Sequence, residues 1–206
     1  MNPNQIYAEN KWEMYNGFSP LISVFKAYHP LNAEIEAIIN EQTFPVQFRK
    51  NKFISSPLHQ NKYIYLLLKG LARGYMKNGT KEVTTWISKE HELVGSIRNL
   101  WEEEESEEYI QAIEPVEAIA IPHTMSKYLY DNFPIANYVG RKMTEMYCEN
   151  AYQRGFLSRI PSAERRYQRF IKYHQALVDR VPLKYIASYL GMRLETLSRI
   201  RTKLQG

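Results

Sequence analysis

The sequence predicts an α+β protein with an amino-terminal all-β unit, one long helix, and a carboxy-terminal all-α segment built around a helix-turn-helix. Three observations carry that expectation. Residues 44–121 are short apolar or alternating runs rich in Val, Ile, Tyr, Phe and Thr, broken by Gly, Pro, Asn and charge, which is the pattern of strands. Between Pro134 and Pro161 no proline interrupts a run whose apolar residues recur at helical spacing. Residues 181–204 place a small residue, a glycine and five apolar positions at the offsets of two short helices that cross closely.

Composition bounds the function classes. The chain has 206 residues, 44% of them apolar and 13% aromatic, so it can fill a sizeable core and disorder is excluded. Its longest apolar runs fall far short of the ~20 residues that a bilayer requires, and the first residues lack a basic and then apolar signal. A cytoplasmic protein without membrane contact is expected. The single cysteine, Cys148, excludes an internal disulfide, a four-thiolate zinc site and an iron–sulfur cluster that needs several thiolates. The net charge of +5 conceals an asymmetry: residues 154–206 hold twelve Lys/Arg against three Asp/Glu, a net of +9, whereas residues 1–153 carry −4. A field of that sign on one quarter of a chain fits a phosphate-rich partner, and equally a solvated basic helix face.

In order along the chain, residues 31–39 carry Leu31, Ile35, Ile38 and Ile39 at helical spacing after Pro30, and the strands follow. One hairpin is well marked, because residues 71–76 and 82–87 flank Asn78-Gly79, the dipeptide that tolerates two successive positive φ angles. Residues 102–108, six glutamates and Ser106, read as a solvated loop. A short helix over 126–132 and a helix of about 23 residues from Pro134 follow. Ile135, Val139, Met143, Met146 and Asn150 succeed one another at 4, 4, 3 and 4 residues, the step of a helix that pairs with another. They predict a dimer seam; the alternative is a helix packed on its own β unit. Residues 162–178 predict a further helix, and two shorter ones end the chain. The resulting division is 1–133 for the β unit with flanking helices, 134–157 for the long helix, and 158–206 for the helical end.

The most informative stretch is Ile186-Ala187-Ser188-Tyr189-Leu190-Gly191, followed by Glu195-Thr196-Leu197-Ser198-Arg199. Ala187 supplies the small side chain where two helices cross, and Gly191 permits the left-handed turn between them. Ile186, Leu190, Met192, Leu197 and Ile200 are apolar where the pair buries its inner face. This stretch closely resembles the DNA-binding end of bacterial Crp/Fnr transcription regulators, the cAMP receptor protein family, and the resemblance extends over nearly the whole chain. It implies a cyclic-nucleotide-binding-like β-roll, a dimerisation helix and a helix-turn-helix whose second helix, residues 193–204, enters the major groove. It further implies a dimeric, sequence-specific regulator of double-stranded DNA that reads an inverted repeat, with RNA polymerase as an admissible partner and no enzymatic activity.

Carried across residue by residue, the resemblance assigns base reading to Leu194, Glu195 and Arg199, and phosphate contacts to Arg193, Thr196, Ser198, Arg201 and Lys203. Arg165, Arg166 and Arg169 add charge beside them. Arg193 departs from the Ser or Thr that usually caps this helix, and no β-hairpin wing is expected after Leu204. In the effector cassette the matching residues are Gly95, Ser96, Ile97, Ser106 and Glu107, so a serine and carboxylates replace the arginine that holds the cyclic phosphate. Binding of cAMP in the usual manner is therefore not expected, nor is another cofactor; Arg98 is the one cation near the cassette. His59, His91 and His123 are the histidines available to a haem, without spacing that singles them out. The rival from another class is a β-roll small-ligand-binding or cupin-like protein whose helical tail mediates only dimerisation or protein contacts, although the chain has no His-x-His.

Overall fold

The computed structural model describes residues 11–58, 61–95 and 106–205. Two short helices, α1 (Pro20–Lys26) and α2 (Ala33–Gln42), precede eight strands: β1 (Phe44–Phe48), β2 (Phe53–Ser55), β3 (Tyr63–Lys69), β4 (Ala72–Asn78), β5 (Lys81–Ser88), β6 (Leu93–Val94), β7 (Tyr109–Ala112) and β8 (Val116–Pro122). Then come α3 (His123–Asn132), α4 (Pro134–Arg159), α5 (Ala163–Tyr173), α6 (Gln175–Val178), α7 (Leu183–Tyr189) and α8 (Leu194–Gln205). The strands form two four-stranded antiparallel sheets in the orders β1-β8-β3-β6 and β2-β7-β4-β5. Apart from the β4–β5 hairpin, sequence neighbours are thus dealt to opposite layers, and small residues such as Ala72, Ala112, Ala118 and Ala120 let the layers close on Leu67, Ile110 and Val116. A second core packs α1, α2 and α3 on the outer face of the first sheet through Leu21, Ile35, Ile39, Met125 and Leu66.

The marked hairpin is present, but its turn is shifted by one residue. Asn78 pairs with Lys81, so the loop is Gly79-Thr80, with Gly79 alone at φ +61. A glycine at the first loop position is the signature of a type II′ turn, and Asn78 stays in the strand. The helix expected over 162–178 is broken at His174, whose φ of −130 and ψ of 37 separate α5 from α6. The imidazole is there held between Phe170 and Tyr189, at ring distances of 5.2 and 6.4 Å. Helix α4 stops at Arg159 because Ile160 precedes Pro161 and is forced into extended backbone.

The long helix corrects the expected seam at Val139. Val139 is 1% exposed within a single chain, so it has no surface to offer a symmetry mate. Ile135 packs against the α1–α3 core. Met143, Met146 and Asn150 border a cavity between α4 and the rest of the chain. The chain's own body covers Val139 and, in part, Ile135 and Met143, whereas Met146, 45% exposed, and Asn150 keep surface outward. The face turned away from that body carries Arg141, Cys148 and Tyr152, all exposed.

Candidate DNA-binding interface

The helix-turn-helix follows from local chemistry. Helix α7 ends in a Schellman motif, with the Met192 amide donating to the Ala187 carbonyl at 3.0 Å and the Gly191 amide to that of Ser188 at 3.1 Å. The motif requires a left-handed residue, supplied by Gly191 at φ +62. Leu197, fully buried, faces Ile186, Ala187, Leu190, Tyr167 and Phe170 in the third core of the molecule, and Ile200 and Met192 close its edge. Burying that face of α8 turns the other outward.

The outward face holds Arg193, Leu194, Glu195, Ser198, Arg199, Thr202 and Lys203, all exposed. The three base-reading candidates, Leu194, Glu195 and Arg199, therefore share one unobstructed surface. Of the phosphate candidates, Arg193 and Ser198 lie on it, Lys203 lies at its end in an ion pair of 3.0 Å with Glu164, and Thr196 and Arg201 are half-buried on its flanks. The Arg193 carbonyl accepts the first helical hydrogen bond, from Leu197 at 3.1 Å. Glu195 in the first turn offsets the cation beside it and suits the helix dipole.

The arginines of α5 separate into different roles. Arg165 is exposed and free for a phosphate. Arg166 is a structural brace: its guanidinium donates to the carbonyls of Ile160 at 2.7 Å, Pro161 at 3.3 Å and Gly191 at 3.5 Å, tying α5 to the turn. Arg169 donates to Gln153 Oε1 at 2.8 Å and lies over the rings of Phe156 and Tyr173. Neither Arg166 nor Arg169 presents a free fork to DNA.

Sequence reasoning missed the contacts that hold these helices to the β-roll. Arg73, only 1% exposed on β4, lies between the rings of Tyr75 and Tyr185 at 4.3 and 3.7 Å. It donates to Gln111 Oε1 through Nε at 3.0 Å and Nη2 at 2.8 Å, to Thr84 Oγ1 at 3.3 Å, and pairs with Glu82. Ser188 Oγ on α7 accepts from the Thr84 amide at 2.9 Å and donates to the Glu82 carbonyl at 3.1 Å. Arg180 is clasped by Glu90 and Glu114, each as close as 2.6 Å, and its hydrogen bond is the main reason the Glu90 carboxyl is held down to about 2. Nothing local marks Arg73, since an arginine in a strand reads as a solvated charge.

The expected effector cassette is only partly within the described residues: Ser96 and Ile97 lie outside them, as do Arg98 and His59. Gly95 borders the cavity, Ser106 Oγ accepts from the Glu108 amide at 3.1 Å, and Glu107 is exposed. Glu108 corrects the reading of 102–108 as wholly solvated. It is half-buried, accepts from Thr85 Oγ1 at 2.7 Å and Trp86 Nε1 at 2.9 Å, and has its carboxyl pushed up by burial. Among the described residues no group of three His, Cys, Asp or Glu side chains is placed to hold a metal ion.

Solved structures with this arrangement of two sheets, long helix and helix-turn-helix are numerous. One is a putative transcriptional regulator of the Crp/Fnr family from Eubacterium rectale, with a TM-score of 0.70 at 16% identity over 92% of this chain and 88% of that one. The chain has the Crp/Fnr fold. FixK2 from Bradyrhizobium japonicum matches with a TM-score of 0.67 at 18% identity, covering 79% of this chain and 84% of its own. A CooA variant from Carboxydothermus hydrogenoformans gives 0.64 at 16%, over 97% and 85%. No protein-family model and no curated protein matches the sequence. The Crp/Fnr fold here includes an α+β architecture with the β-roll first and the helix-turn-helix last, and among the described residues no helix is long and apolar enough to cross a membrane.

Proposed function

We propose that the chain is a Crp/Fnr-type transcription regulator that binds double-stranded DNA as a homodimer, reading an inverted repeat with α8. The observation that carries this is the outward face of α8, where Leu194, Glu195, Ser198 and Arg199 stand clear on a glycine-turned helix pair. A β-roll ligand-binding or cupin-like protein with a merely structural tail has no need of an exposed, basic outer face on its second helix, and the charge of +9 over residues 154–206 supports the same choice. Pairing through α4 uses its free face of Arg141, Cys148 and Tyr152, and sets two recognition helices on one side of the duplex, half-sites ~34 Å apart. The role is not enzymatic, RNA polymerase is a fitting partner, and a cytoplasmic setting follows from the DNA substrate. Carboxylates in the cassette argue against cyclic nucleotide bound in the usual way.

Within this reading Arg199 donates two hydrogen bonds to a guanine edge, Glu195 accepts from a cytosine amino group, and Leu194 touches a thymine methyl. The test is selection of bound sequences from a random DNA pool, followed by titration of the selected site at several salt concentrations. Arg199→Ala should weaken binding by ~1–3 kcal/mol per half-site and relax preference at one base pair, whereas Lys203→Ala weakens all sequences alike and lowers the salt slope. Equal affinity and unchanged base preference for Arg199→Ala refute the register, and failure to enrich any sequence refutes the regulator.

A further inference from the structure

A cavity of about 480 Å³ lies where the β-roll, the long helix and the DNA-binding helices meet. The volume is in the range of small-molecule sites, ~300–1,000 Å³. One wall is the end of β5 and the residues around β6, one is α4, and the third runs from α5 to the end of α7. Of the cassette residues named from the sequence, Gly95 borders it, Ser106 and Glu107 do not, and Ser96 and Ile97 lie outside the described residues. From Gly95 the lining extends along α4 to His174 and Tyr189, toward the helix-turn-helix.

Its lining divides into an apolar body and a positive end. Trp86, Leu93, Met143, Leu157 and Phe170 offer carbon surface. Among the described residues Lys89, Arg154 and Arg169 are the lining cations, against one lining carboxylate, Glu92. Arg169 is already engaged by Gln153 and by the rings of Phe156 and Tyr173. Arg154 is not so engaged: its guanidinium lies 5.5 Å over the ring of Tyr147, and among the described residues neither Arg154 nor Lys89 forms an ion pair. The carboxylates that feel Arg154 are Glu92 and Glu108, and burial pushes both up. Burial, with Lys89 and Arg154 nearby, pushes the His174 imidazole down. Among the described residues the half-buried Arg154 guanidinium thus makes no ion pair, and with Lys89 it sets positive charge beside apolar surface.

We propose that this cavity is the effector site of the regulator and that its ligand is a small organic monocarboxylate with an aromatic or aliphatic body, the carboxylate meeting Arg154 and Lys89. A single negative charge suits the wall better than a phosphate dianion, which would also face Glu92 and Glu108. The position supplies the coupling. His174 occupies the break between α5 and α6, and Tyr189 is the last residue of α7, two before the turn glycine. A ligand that touches Trp86 and Lys89 on one side and His174 and Tyr189 on the other bears on both the β-roll and the recognition unit, and shifts their relative populations by its differential affinity.

The site rests on the regulator reading for its consequence but not for its chemistry, so the two are tested apart. Calorimetry of the whole chain near neutral pH uses 4-phenylbutyrate, with 4-phenylbutanol and 4-phenylbutylamine as neutral and cationic heads on the same body. The carboxylate should saturate one site per chain about tenfold or more tighter than the alcohol, and the amine should bind more weakly than either, since a charge-assisted hydrogen bond is worth about that factor. Arg154→Ala should abolish the carboxylate's advantage and leave the alcohol unchanged, Arg154→Lys should restore part of it, and Glu92→Gln should tighten the carboxylate. Equal binding of acid and alcohol, an Arg154→Ala variant that binds the acid like the wild type, or no saturation by the acid overturns the site. DNA titrations with and without 4-phenylbutyrate separate the readings: a chain that binds selected DNA but no carboxylate refutes the cavity alone, and one that saturates with carboxylate but binds no DNA refutes the regulator alone.

Discussion

Replacing Arg73 tests whether the β-roll and the helix-turn-helix are one mechanical unit. The guanidinium is 1% exposed, sandwiched by Tyr75 and Tyr185, and bonded to Gln111 and Thr84, whereas the side chain of its ionic partner Glu82 remains 45% exposed. Arginine cannot discharge to relieve burial, so these contacts are what makes its position tolerable. Arg73→Ala leaves Gln111 and Thr84 facing a hollow and strips Tyr185 of its cation; losing one side of such a buried cluster costs about 3–5 kcal/mol. Glu82→Gln removes only a half-exposed charge and should cost no more than about 1 kcal/mol. Tyr185→Leu should fall between them, at about 2 kcal/mol for a desolvated cation–π contact, and should be non-additive with Arg73→Ala. For a chain of this length 1 kcal/mol moves the melting temperature by roughly 2–4 °C, so Arg73→Ala should lower it by about 6–20 °C. Differential scanning calorimetry and urea titration of the four proteins decide the matter. If Glu82→Gln is as damaging as Arg73→Ala, the ion pair and not the stacked, hydrogen-bonded cluster holds the junction, and the reasoning fails.

The Arg180 clasp makes stability depend on acid. Glu90 is depressed to about 2, chiefly by its hydrogen bond from Arg180, so the unfolded chain takes up the proton more readily; the stabilisation is full above the ordinary pKa of 4.5 and is lost as pH falls from there toward 2. With the pair partly open to water this amounts to about 1–2 kcal/mol, and Arg180→Ala should flatten that part of the urea-midpoint profile between pH 4.5 and 2. An unchanged slope in the variant removes the clasp from the account. Cys148 is exposed on the free face of α4, so pairing through that face should let mild oxidation give a disulfide-linked dimer that Cys148→Ser abolishes, since the bond needs Cα atoms within about 7 Å. A chain that is dimeric by light scattering yet yields no cross-link pairs by another surface.

The sequence by itself determined the elements whose causes are local. Gly191 at φ +62, Ala187 at the crossing and the apolar positions of α7 and α8 follow from backbone sterics and helical period, which act within a few residues, so the helix-turn-helix and its outward face were legible. The β-roll was legible as strands, but not the dealing of β1 to β8 into two sheets, because period says that a face is covered and not by what. That distinction explains α4. Ile135, Val139, Met143, Met146 and Asn150 share helical spacing, and only tertiary packing shows Ile135 and Val139 turned to the chain's own core while Met146 and Asn150, at the cavity's edge, stay exposed. The same holds for charge. Arg73, Arg166 and Glu108 look like solvated surface in one dimension, and each is withdrawn from water by partners far along the chain: Tyr185 for the first, Gly191 for the second, Trp86 for the third. Burial of an ion is a property of the assembled surroundings, since it is tolerated only where distant residues bring donors, acceptors and rings to the same point.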